Sequence, residues 1–117
     1  MQVDKPKLTV TINTSSGAFE IPAIAVYKQV CIHYRFNTRT GETYDRRCGY
    51  CVSHLKAGKI MARFKKLADA KKLAKDLEKL DLDFGEDVYS AENSDRRERL
   101  YAGLDKYANL RMENQPC

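Results

Sequence analysis

At 117 residues, 43% hydrophobic and 32% charged, the chain can bury one core but is too short for two domains of ordinary size, so a single domain over 1–117 is expected. It contains no run of about 18 apolar residues, which excludes a membrane-spanning helix, and MQVDKPKLTVTINT lacks the apolar block of a secretory signal. A cytoplasmic protein with its four cysteines reduced is therefore expected.

The net charge of +5 is unevenly spread: residues 28–66 carry ten Lys/Arg against two Asp/Glu, and residues 67–117 carry nine against twelve. An anionic ligand is expected to meet the middle of the chain.

In chain order, KLTVTINT (7–14) alternates Leu8, Val10 and Ile12 with polar residues, the period of a half-buried strand. SSG makes a turn, and AFEIPAIAV (18–26) is a second strand in which Pro22 implies a sheet edge or a bulge. KQVCIHYRF (28–36) alternates Val30, Ile32, Tyr34 and Phe36 with Gln29, Cys31, His33 and Arg35. A turn at NTRTGE returns the chain as TYDRRCGYCVSHL, and a turn at Ala57-Gly58 leads to KIMARF (59–64). KKLADAKKLAKDLEKL begins a first helix over 65–82, with an apolar stripe through Leu67, Ala70, Leu73, Ala74, Leu77 and Leu80. After an acidic loop, a second helix over 94–113 starts near Ser94 or Asp95, a capping residue preceding Glu98. The fold class is therefore α+β, an antiparallel β-meander of about five strands (1–64) followed by two C-terminal helices.

RRCGYC (46–51) raises the question of metal or thiol chemistry. A two-residue turn at Thr40-Gly41 would pair His33 with Cys48, Cys31 with Tyr50 and Val30 with Cys51. Cys48 and Cys51 then point to opposite faces, whereas structural zinc needs four converging ligands, so no metal is expected. Redox catalysis needs the first cysteine at a helix N-terminus, and this pair falls among strands. The same register puts Gln29, Cys31, His33 and Arg35 beside Arg46, Cys48 and Tyr50 on an outward face, where cations and a ring could meet phosphate and base. Arg35, Arg46 and Arg47, with Lys56, form the basic surface on which a DNA- or RNA-binding reading rests. A third reading is a protein-protein inhibitor of a host defence nuclease. Neither a Gly-rich phosphate loop nor HExxH nor a catalytic carboxylate pair is visible, and no enzyme activity or cofactor is expected.

A second constellation lies late in the chain: Phe84 after the first helix, Asn93 before the second, and Tyr107 and Arg111 one turn apart. A ring, an amide and a guanidinium can stack on a purine, bond its edge and pair with phosphate.

SHLKAGKIMARF feeding a Lys/Ala-rich helix looks like segments of small phage and mobile-element proteins. The order of five strands then two helices resembles the phage Thoeris anti-defence proteins of the first type. That resemblance implies a non-enzymatic homo-oligomer in the host cytoplasm that encloses a cyclic ADP-ribose-type immune signal between subunits. The family's aromatic, amide and arginine positions are matched by Phe84, Asn93 and Arg111. Lys59 matches a basic strand position that in the family serves a separate site for cyclic oligonucleotides. A second arginine, one turn beyond Arg111, is replaced here by Gln115.

Overall fold

The computed structural model describes residues 8–84 and 90–113. Five strands, β1 (Thr9–Thr14), β2 (Gly17–Val26), β3 (Val30–Tyr34), β4 (Tyr50–His54) and β5 (Lys59–Phe64), precede α1 (Leu67–Leu77) and α2 (Ser94–Asp105). The strands pair antiparallel in the order β1-β2-β3-β4-β5, the α+β meander expected. None of the helices among the described residues is long and apolar enough to cross a membrane.

β2 changes partners along its length. Gly17–Pro22 pairs with β1, and the ladder with β3 begins at Ala23, so Pro22 sits where no donor toward β3 is needed. The register shift between Ala23 and Ala25 adds a bulge just beyond it, which bends the strand. The bend carries β1 over the sheet until it meets the β4–β5 turn: Asn13 donates its amide to the Gly58 carbonyl at 2.6 Å and its Nδ2 to the Ala57 carbonyl at 2.9 Å. Gly58 is required there, since its φ is +64° and an added Cβ would lie 2.6 Å from the Thr11 carbonyl oxygen. The sheet thus becomes a half-barrel.

Both faces of the central strands are consequently covered. Val30, Ile32, Val52, Ala62 and Phe64 pack under the helices against Leu73, Leu77 and Leu104. Val10, Ile12, Ile21, Cys31 and Phe36 form a second cluster beneath β1.

The β3–β4 register differs from the expectation. His33 stands opposite Cys51, Cys31 opposite Ser53 and Val30 opposite His54. The connection does not run straight from Thr40-Gly41. A short tip, closed by the Phe36–Thr43 bridge, is followed by a 3-10 turn at Arg46–Cys48, which Asp45 caps by accepting from the Arg47 amide at 2.8 Å. That turn inserts residues on the returning side only, and every following pair is displaced. Gly49, at φ +100°, then brings the backbone against Phe64, where a Cβ would lie 2.7 Å from its carbonyl oxygen.

Both helices are shorter than the apolar pattern suggested. After Leu77 the amides turn to 3-10 bonds (Lys79 to the Asp76 carbonyl, Leu80 to that of Leu77). Gln29 then takes over: its Nε2 donates to the Leu80 carbonyl at 2.7 Å, its Oε1 accepts from the Leu82 amide, and Glu78 accepts from the amides of Gln29 and Val30. α2 starts at Ser94 as expected, but its N-cap is Asn93, which makes no capping bond with its side chain. Past Asp105 the chain winds in turns and then pairs with the edge of β5, through the Phe64–Arg111 bridge and a 2.6 Å bond from the Met112 amide to the Arg63 carbonyl. Edge pairing satisfies backbone groups that a helix continued to 113 would leave bare on β5.

Candidate functional site: a cationic cleft at the barrel mouth

The face expected to meet solvent is the barrel interior. Cys31 and His33 are fully buried, and Arg35, expected on a basic surface, is only 4% exposed. Its Nη1 donates to the Cys48 carbonyl at 2.9 Å, so it braces the β3–β4 connection instead of presenting charge. Tyr50 lies against the helix-side core, its ring 5.7 Å from that of Tyr34. The expected grouping of Arg35, Cys48 and Tyr50 on one open face is therefore corrected by the register and by the closure of β1.

Within the barrel, His33 donates from Nδ1 to the Tyr34 carbonyl at 2.7 Å, which leaves Nε2 to accept the Ser53 hydroxyl at 2.7 Å. Burial lowers the pKa of this ring to about 4, the Tyr34 bond opposes that, and the nearby Arg63 adds to it. The imidazole is neutral and satisfied at neutral pH. Burial likewise raises Cys31 to about 11 and Cys51 to about 12, Arg63 and Arg35 opposing the latter shift, so both free thiols stay protonated and poorly nucleophilic. Cys48 is disulfide-bonded, against the reduced-thiol expectation. Among the described residues no group of three His, Cys, Asp or Glu side chains is arranged to hold a metal.

The Ser53–His33 contact has the spacing of a hydroxyl nucleophile and its base, but neither side chain is accessible to solvent in this structure. It fixes the barrel interior.

The open chemistry lies at the mouth, between the β1–β2 turn and β5. A cleft of about 540 Å³ is lined by Asn13, Thr14, Ser15, Thr38, Lys59, Ile60 and Arg63. Lys59 opens β5 and is exposed, while Arg63, four residues on, is half-buried. No carboxylate among the described residues pairs with either cation. Thr14 ties the wall together, its hydroxyl shared between the carbonyls of Gly17 at 2.9 Å and Thr38 at 3.1 Å. Lys59 was singled out from the sequence through the resemblance alone, and it lines this cleft. Arg63 was not singled out, and the register shift between the partners of Val52 and Ser53 breaks the even spacing that would set it on the face of Lys59. Asn13, Ser15 and Thr38 carried no local signal, because the curl of β1 and the tip closed by the Phe36–Thr43 bridge bring them to β5.

The late constellation is divided. Phe84 sets its ring 6.2 Å from that of His54, and Asn93 donates to the Phe84 carbonyl at 2.6 Å and the Ser90 hydroxyl at 3.1 Å while accepting from Arg96 at 2.8 Å. Asn93 is buried and its amide ties Phe84 to Ser90. Tyr107 instead packs edge-on against Phe64 and donates its hydroxyl to Asp76, a bond that raises its pKa to about 12. Arg111 is exposed beside it, and no described contact joins this pair to Phe84 and Asn93. Gln115 lies outside the described residues. Of the basic surface, Arg46 and Arg47 are exposed on the 3-10 turn, Arg47 paired with Asp45 at 3.0 Å, and Lys56 is paired with Asp83 at 2.7 Å.

Compared with known proteins, the chain matches no protein-family model, no curated protein and no solved structure.

Proposed function

We propose that this chain is a non-enzymatic binding protein that captures and holds a phosphate-bearing nucleotide, the sequestration of a cyclic immune signal that its resemblance to the Thoeris anti-defence proteins implies. The observation that carries the reading is the cleft at the barrel mouth, which Lys59 and Arg63 both line without a carboxylate partner among the described residues. Two cations beside hydroxyl-bearing walls form a receptor for phosphate oxygens, and a partly desolvated guanidinium adds directional donors to the charge. The volume lies within the roughly 300–1,000 Å³ typical of small-ligand sites. An extended DNA or RNA interface is less well supported, because Arg35 is buried and Arg47 and Lys56 are ion-paired.

The experiment is calorimetric titration with a cyclic dinucleotide, paired with native mass spectrometry of the complex. Lys59→Ala and Arg63→Ala are each expected to weaken binding about tenfold or more, the scale of losing a hydrogen bond to a charged group. The ligand should be recovered with its mass unchanged, and the same spectra read the number of copies in the assembly. Unaltered affinity in both variants would remove the cleft from the function, and a ligand returned with altered mass would overturn the non-enzymatic reading.

A further inference from the structure

We infer that the cleft reads the ribose-phosphate part of its ligand and is indifferent to the base. This inference rests on the nucleotide-binding reading above and concerns which part of the nucleotide is recognised.

Base recognition in a small site needs a flat partner on which the base stacks, with donors and acceptors set against its edge. None of the seven lining residues is aromatic, and Ile60 is the sole large apolar side chain among them. Asn13 has the amide that could read a base edge, but one of its two Nδ2 hydrogens is committed to the Ala57 carbonyl at 2.9 Å. The second hydrogen and Oδ1 remain, without a ring in the cleft to hold a base flat against them. Oδ1 can accept a hydrogen bond from a sugar hydroxyl.

The other uncommitted groups point the same way. The side-chain hydroxyls of Ser15 and Thr38 make no hydrogen bond among the described residues, and a hydroxyl both donates and accepts. Lys59 and Arg63, both on β5, supply donors and positive charge. The site thus offers cations for a phosphate and, in the same cleft, the Asn13 amide and two adaptable hydroxyls for sugar hydroxyl groups. It offers no aromatic ring for a base to stack on. Another cleft among the described residues, of about 470 Å³ and lined by Lys28, Gln29, His54 and Lys56 among others, is built differently. There Lys56 is paired with Asp83, the Gln29 amide is bonded to Leu80 and Leu82, and both His54 ring nitrogens are bonded, to the Leu82 carbonyl and the Ala57 amide.

The test titrates the whole protein with ribose 5-phosphate, AMP, CMP and adenosine, with inorganic phosphate as the minimal probe. Ribose 5-phosphate, AMP and CMP should bind within about threefold of one another, and adenosine, lacking the phosphate, about tenfold or more weaker. Ser15→Ala, at an exposed turn position with no structural bond, should weaken ribose 5-phosphate about threefold or more and leave inorganic phosphate unchanged. Tight binding of AMP together with weak binding of CMP and ribose 5-phosphate would overturn the base-independent inference while leaving nucleotide binding intact. If none of the phosphorylated probes binds, the nucleotide-binding reading itself fails.

Discussion

The face of the sheet under the helices and the face under β1 differ in what fills them. On the helix side, Val30, Ile32, Val52 and Phe64 meet leucines, and the buried His54 sits beside Phe84. On the barrel side, the row that includes His33, Cys51 and Arg63 crosses three strands, with Ser53 bonded to His33, and β1 covers these groups with Val10 and Ile12. A separate pair of helices can present a continuous apolar stripe, whereas a strand folded back over its own sheet has only alternate residues to offer. The barrel side therefore retains polar groups, which must be paired internally, and it opens at its mouth into the cationic cleft.

The contrast makes the helix side the more costly to empty. Phe64→Ala removes the largest fully buried side chain and its edge contact with Tyr107, and it should destabilise the fold by about 3–5 kcal/mol in denaturant titrations. A loss no larger than that of a surface variant would show that the two faces are not distinguished by packing.

The barrel side should instead reveal itself through pH. His33 holds its folded pKa near 4 against an ordinary 6.5, so the unfolded chain takes up a proton that the folded one refuses. Its contribution is fully present above pH 6.5 and is lost as pH falls toward 4, roughly 3 kcal/mol over that window. Between pH 6.5 and 5 carboxylates remain largely ionised, and the part of a falling denaturation midpoint that a His33 variant removes belongs to that ring. His33→Gln should flatten the slope. A wild-type midpoint that stays level over that range would place the ring in water.

Closure by β1 is tested at the β4–β5 turn. Gly58→Ala forces a side chain into a positive-φ position against the Thr11 carbonyl, and about 1–3 kcal/mol of destabilisation is expected. Hydrogen exchange at the Asn13 amide, which bonds the Gly58 carbonyl, should accelerate more than exchange in β3 and β4. Equal acceleration everywhere would make the half-barrel one inseparable unit. The smallest effect belongs to Ile12→Val beneath β1, about 0.5–1.5 kcal/mol by thermal or chemical unfolding. A cost above that of Phe64→Ala would reverse the ranking of the two faces.

Much of the architecture was legible. Alternation in KLTVTINT and KQVCIHYRF and the 3.6-residue stripe from Leu67 to Leu77 are local patterns that the backbone geometry obeys directly. Lys59 was singled out only through the resemblance, and the residues that share its cleft were not singled out at all. In β3 and the residue after it, Cys31, His33 and Arg35 alternate with Val30, Ile32 and Tyr34 as they would on a sheet with one wet face. Periodicity separates two faces without saying which one water reaches, and here neither does.

The sequence by itself determined the types and order of the elements, because hydrophobic period and turn residues act over a few positions. Only the tertiary structure decided the β3–β4 register, the burial of Arg35 and the assembly of the cleft. Each of these rests on a contact between distant residues or on an inserted turn: the Asp45-capped 3-10 turn displaced the strand pairing, and the bend at Pro22–Ala25 brought Asn13 to Gly58 and Ser15 to the cleft shared with Arg63. A side chain's exposure depends on what the rest of the chain lays over it, and no short window of sequence holds that information.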